Sequence, residues 1–254
     1  MTNNELAITN FKDVINTTSF RNRAAACLGK NADAFVSSML DLYTGDIYLQ
    51  NCNPEAVALE CLKAASLKLP LNKNLGFACV VPRKNIPYFQ IMWRGYVQLA
   101  MRTGQYKIIN SDCIYEGESV KRDRLTGQLE ISGTATSDVA IGYFAYFKLI
   151  NGYEKMYYMT KDEVISHADT YSDSFHRSNS AWKTEFDKMA RKTVLRQLLN
   201  YGPMSTEMQE AMKMDVLSAE TAAKTEIQQN ANTGDVIDVP IVDLDTGEVI
   251  SDGN

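Results

Sequence analysis

Residues 75–105 read LGFACVVPRKNIPYFQIMWRGYVQLAMRTGQ, and the order of elements within them decides the fold class. GFACVV is apolar and β-favouring, and Pro82 is expected to stop it. YFQIM begins just after Pro87, so the intervening PRKNIP is expected to be a hairpin tip carrying Arg83 and Lys84. The period then changes. In RGYVQLAMRTG, Val97, Ala100 and Met101 share one helical face, and Arg94, Gln98 and Arg102 follow at i, i+4 and i+8 on the other, with Gly104 as the stop. A hairpin running straight into a short helix indicates an α+β chain.

Upstream the pattern is helical. NPEAVALECLKAASL offers Asn53 as N-cap and Pro54 at the first helical position. NADAFVSSMLDLYTG is a second helix closed by Gly45, and FRNRAAACLG a third ending at Gly29. Downstream, GESVKRDRLTGQLEISGTATSD is a hairpin or long loop. VAIGYFAYFKLI and YEKMYYMT flank Asn151-Gly152, a strong hairpin signal. TKDE at 160–163 fits a capping box, DTYSDSFHRSNS lacks periodicity and is expected to be a mobile loop, and a long helix is expected over 181–201 before Gly202-Pro203. Another helix should start at the Ser205 cap. The expected architecture is a small antiparallel sheet packed with helices, a helical N-terminal region, a long basic helix, and a disordered acidic C-terminal tail.

The chain has 254 residues, with 31 Asp plus Glu against 26 Lys plus Arg. That balance is uneven along the sequence. Residues 217–254 hold eight acidic groups and one basic, which leaves 25 basic and 23 acidic residues before them, a net of +2. Residues 1–216 therefore form the expected core, mildly basic, and 217–254 a flexible, strongly acidic tail. Five Cys without a C-x-x-C pair point to reduced thiols and a cytoplasmic setting, and two His make a His-rich metal site improbable. No secretion signal opens the sequence, and no apolar run approaches the roughly 20 residues of a membrane span.

DKMARKTVLR, residues 187–196, gathers Lys188, Arg191, Lys192 and Arg196. On a helical wheel Trp182, Phe186, Met189 and Thr193 form an apolar stripe suited to a core. Lys188, Lys192 and Arg196 repeat every four residues opposite, with Arg191 beside them. Such a face is either solvated or held by a polyanion; like charges repel unless something negative relieves them. Arg94 sits between Trp93 and Tyr96, an interleaving of cation and ring that suits single-stranded nucleic acid, though an aromatic core edge with solvated arginines explains it as well. No phosphate loop or nucleophile elbow occurs. Asp112, Glu116, Glu118 and Lys121 suggest a metal-dependent nuclease only loosely, and a solvated hairpin accounts for them. Catalysis is not expected.

Residues 75–105 together with WKTEFDKMARKTVLRQLL, 182–199, closely resemble the RecT/Redβ family of phage single-strand annealing proteins, and the lead-in LECLKAASLKLPLNKN fits the same pattern. The likeness spans about residues 10–205. It implies a positively charged groove and rings or helical filaments of many copies on DNA. It also implies ATP-independent annealing in recombination, in a phage- or prophage-encoded protein. The family's groove positions map onto Lys188, Arg191, Lys192, Arg196 and Arg94. Arg83, Lys84 and Lys107 are added here from charge and placement, and Trp93 and Tyr96 as rings. The implied partners are single-stranded DNA and the annealed duplex, further copies of the chain, a phage 5′-to-3′ exonuclease and the host single-strand binding protein. No cofactor is expected, with Mg²⁺ at most modulating DNA binding. A passive single-strand coat is the alternative, and a metal-dependent nuclease ranks below it.

Overall fold

The computed structural model describes residues 3–214, apart from residues 73, 173 and 179. Five helices come first: α1 (Asn3–Asn16), α2 (Thr18–Leu28), α3 (Ala32–Thr44), the short α4 (Ile47–Gln50) and α5 (Pro54–Ser66), with one 3₁₀ turn between α2 and α3. Their apolar faces meet around Phe11 and Tyr43, whose rings stack at 4.0 Å. Asn53 caps α5 by accepting from the Ala56 N–H, with Pro54 in the first turn, and Gly29 ends α2 with φ +53°, as expected.

The hairpin follows as β1 (Ala78–Arg83) and β2 (Ile86–Ile91). Pro82 does not end β1; it pairs with Pro87, and Arg83 with Ile86. A proline survives here because a two-stranded sheet has only edge strands, where a missing N–H leaves no ladder partner wanting. Lys84 and Asn85 are therefore the whole loop, both with positive φ (49° and 62°), the twist a two-residue hairpin requires. Glu60 of α5 holds the hairpin, its carboxylate accepting from the Phe89 N–H at 2.7 Å while also binding Lys63 at 2.6 Å.

α6 (Trp93–Arg102) buries Tyr96, Leu99 and Ala100, whereas Met101 faces out at 47% exposure, contrary to the expected face. The helix turns its inner side to the hairpin because Gly95 lies against Phe77; a Cβ there would stand 2.2 Å from the Phe77 carbonyl oxygen. Arg102 folds back to donate to the carbonyls of Leu67 and Lys68, satisfying the C-terminal end of α5.

The principal sheet is antiparallel, in the order β3 (Tyr106–Tyr115), β6 (Ala140–Leu149), β7 (Glu154–Thr160). Between β3 and β6, the polar stretch forms a separate hairpin of β4 (Glu118–Arg122) and β5 (Leu129–Gly133). Alternation along β6 buries Tyr143, Ala145, Phe147 and Leu149. The Thr160–Glu163 capping box opens α7 (Lys161–Tyr171), which runs further than expected and takes in Asp169, Thr170 and Tyr171. Val164 and Ala168 keep it on the core at i and i+4.

The expected single helix over 181–201 is two: α8 (Ala181–Thr184) and α9 (Phe186–Leu199), divided at Glu185 (φ −143°, ψ 46°). The break turns Trp182 inward, where its indole N–H donates to the Ser172 hydroxyl at 3.0 Å and Phe186 lies 5.6 Å away. The fully buried stripe of α9 is consequently Ala190, Val194, Leu195, Leu198 and Leu199 against the sheet, while the expected Phe186 and Met189 pack half-buried at its margin and Thr193 is half-buried. Small and aliphatic side chains let a helix approach a sheet closely, and they set its rotation. Residues 206–214 are helical, beginning at the Ser205 cap. The acidic tail, 217–254, lies outside the described residues. Among those described, no helix is long and apolar enough to cross a membrane.

Candidate nucleic-acid interface

With α9 seated on the sheet by its aliphatic stripe, its cations do not form one uniform solvated face. Each has a distinct setting. Lys188 is exposed and bound to Glu185, one turn earlier, at 2.7 Å. Arg191 turns inward: it donates to the Ser111 carbonyl of β3, and its guanidinium lies 5.3 Å over the Trp93 ring. Ser111, 5% exposed, has its hydroxyl shared between the Phe144 carbonyl at 3.1 Å and the Arg191 carbonyl at 3.3 Å, so β3 lies close against both β6 and α9 here. Arg94 lies over the same Trp93 ring at 5.4 Å and is itself exposed, so one indole meets two guanidiniums. Tyr96 is fully buried; it serves as a core ring beneath Lys192, whose ammonium stands 6.0 Å from it.

Lys192 and Arg196 line a cleft of about 130 Å³ bounded by α9, α7, Trp182 of α8 and the β1–β2 hairpin. Arg83 reaches it from the hairpin, its guanidinium 5.5 Å over the Tyr88 ring. Three cations from two segments more than a hundred residues apart thus meet around one small opening, and none of the described residues lining it is a carboxylate. Cations that line one opening favour an anionic ligand there. Lys84 lies at the exposed hairpin tip beyond Arg83. Lys107 is exposed on the edge strand β3 and does not line the cleft.

The cleft also contains Tyr88, His167, Tyr171 and Gln197, which charge and spacing did not single out, and Trp182, which spacing assigned to a core stripe. His167 and Tyr171 are one turn apart on α7, their rings 4.7 Å apart, and Gln197 of α9 sits 3.3 Å from the His167 Nε2. The i, i+4 spacing of that aromatic pair is the available signal, and the Ser- and Asp-rich run from Asp169 onward hides it by reading as a loop. Burial, and secondarily the charge of Arg196, hold the His167 pKa below its ordinary value. The imidazole is therefore neutral near pH 7. Elsewhere, burial and a hydrogen bond to Asp187 push the Tyr143 hydroxyl pKa up, so that residue is a fixed donor at 2.5 Å rather than an acid.

The acidic residues of the 112–118 stretch hold local backbone and hydroxyl groups. Asp112 accepts from the Cys113 N–H, Glu118 from the Tyr115 N–H and Glu116 from the Ser137 hydroxyl. Among the described residues no group of three or more His, Cys, Asp or Glu could hold a metal ion.

Comparison with known proteins adds three findings. The RecT family profile matches residues 33–232. Over 229 residues the chain is 41% identical to the uncharacterized protein YqaK of Bacillus subtilis (strain 168), which covers 89% of this chain and 78% of YqaK. Over 216 residues it is 27% identical to Protein RecT of Escherichia coli (strain K12), covering 79% of this chain and 78% of that protein.

Proposed function

This chain belongs to the RecT family, and from that premise we propose that it is an ATP-independent single-strand annealing protein. It holds one DNA strand by its phosphates along α9 and the β1–β2 hairpin and promotes pairing with the complement during phage homologous recombination. The observation that carries this reading is the meeting of Arg83, Lys192 and Arg196 around a cleft walled by aromatic rings. Cations beside rings suit a flexible strand, whose phosphates and base faces both need partners. Backbone contacts carry no sequence information, so binding is sequence-independent.

A core with a net charge of +2 holds a long strand weakly by itself. Copies side by side add their grooves into one track, and affinity then climbs steeply with strand length. The helical N-terminal third supplies the contacts between copies. The tail from residue 217 repels DNA and serves as the docking segment for partners, a 5′-to-3′ exonuclease and a host single-strand binding protein. No nucleotide cofactor takes part, and Mg²⁺ acts only on DNA affinity. The setting is the bacterial cytoplasm.

The test is to mix complementary oligonucleotides with the protein, with and without ATP and Mg²⁺, and to resolve the products on a gel. Annealing accelerated without ATP is the expected result. Binding without acceleration makes the protein a passive coat, and Mg²⁺-dependent shortening of the strands makes it a nuclease.

A further inference from the structure

Tyr171 is 71% exposed although it is a large ring at the mouth of the basic cleft, on the last residue of α7. Behind it His167 and Gln197 place an imidazole and an amide side by side. We infer that this cleft is a pocket for one unpaired nucleobase per subunit, stacked on Tyr171 with its edge toward Gln197 and His167. The inference rests on the single-strand reading above and deepens it from phosphate contact to base contact.

Three physical features support it. First, the cleft is a concave opening between α7, α9 and the β1–β2 hairpin rather than a flat track, and Tyr88 and Trp182 line it with ring surface. A paired base must unstack and unpair to enter, at a cost of a few kcal/mol that a single strand largely avoids. Second, the polar groups at the back are adaptable. Gln197 Nε2 and His167 Nε2 engage each other at 3.3 Å, which leaves the amide oxygen and its second N–H to meet a base edge as acceptor and donor. Such a pair serves any base edge, which accords with sequence-independent binding. Third, Arg83, Lys192 and Arg196 surround the opening, where phosphates flanking an inserted base would lie. A groove that only tracked the backbone would require the cations alone. The exposed ring and the paired polar groups behind it would then have no ligand.

Binding to two strands of equal length and charge, an oligothymidylate and its abasic counterpart, separates base from phosphate contact. Tyr171→Ala is expected to lose about 5- to 150-fold in affinity for oligothymidylate, the range alanine substitution gives for one stacked base. Its affinity for the abasic strand should match that of the unaltered protein. Tyr171→Phe, which keeps the ring, should retain most of the oligothymidylate affinity. Lys192→Ala with Arg196→Ala should weaken both strands together. Equal loss on both strands from Tyr171→Ala, or no loss on either, overturns the base pocket while leaving single-strand binding intact. Failure of the unaltered protein to bind either strand overturns the single-strand reading and this inference with it. Unchanged thermal unfolding of each variant confirms that binding, not folding, is being read.

Discussion

Replacing Arg191 by Ala separates a structural cation from a DNA-facing one, because the two roles move different observables. The substitution removes a hydrogen bond from a charged donor to the Ser111 carbonyl, a class worth about 1.5–3 kcal/mol. It also removes a cation–ring contact with Trp93, worth ~0.5–2 kcal/mol. An opposing term exists, since the Arg191 Nε is buried without a partner among the described residues, and removing it recovers about 1–3 kcal/mol of desolvation. The balance is a destabilisation of about 2 kcal/mol, which for a domain of this size lowers the unfolding midpoint by roughly 4–8 °C. Differential scanning fluorimetry at fixed protein concentration reads this directly. Single-strand affinity, measured below the midpoint, should keep its salt dependence. Arg191→Lys should fall between, since it keeps the charge but loses the planar group that spans Trp93 and the carbonyl. An unchanged midpoint, with a salt slope reduced by about 0.7, would show Arg191 contacting phosphate and refute the inward assignment.

Three further outcomes follow from particular contacts. Gly95→Ala drives a methyl group into the Phe77 carbonyl and Ile91, and should cost about 1–3 kcal/mol in urea unfolding by prising α6 from the hairpin. His167 is held below its ordinary pKa of 6.5 by burial and by Arg196, so the unfolded chain takes up a proton that the folded chain resists. Its contribution to stability is present above pH 6.5 and is lost as pH falls toward the folded pKa; His167→Gln should flatten that part of the stability–pH curve relative to the unaltered protein. Truncation after residue 216 removes eight acidic groups and one basic, and should preserve annealing by the purified protein while tightening DNA binding at low salt.

Where local chemistry dictates structure, the sequence was informative. Asn53-Pro54, the Thr160–Glu163 box and Asn151-Gly152 each act within a few residues, and each element formed where expected. The α+β class followed from the hairpin-to-helix step at 75–105. The misplaced features were set at longer range. No Gly or Pro marks the break at Glu185, and the phase of α9 on the sheet depends on which side chains fit against Tyr143 and Phe147. Tyr96 was a plausible stacking ring by spacing, but a buried one once α6 met α9. Of the four α9 cations, charge alone could not distinguish the inward Arg191 and the Glu185-bound Lys188 from the two that line the cleft. Arg83 joins those two because Glu60 fixes the hairpin from α5, a tertiary arrangement no local pattern encodes.

The proposed function requires that Arg83, Lys192 and Arg196 together hold the phosphates of a single strand. Its most direct test is the salt dependence of oligothymidylate binding by the protein and by the variant with all three replaced by Ala, after thermal unfolding has shown the variant folded. Three lost phosphate contacts at ~0.7 each predict a log–log slope shallower by about two units, with weaker binding at every salt concentration. A folded triple variant with the slope and affinity of the unaltered protein would place the strand elsewhere on the molecule.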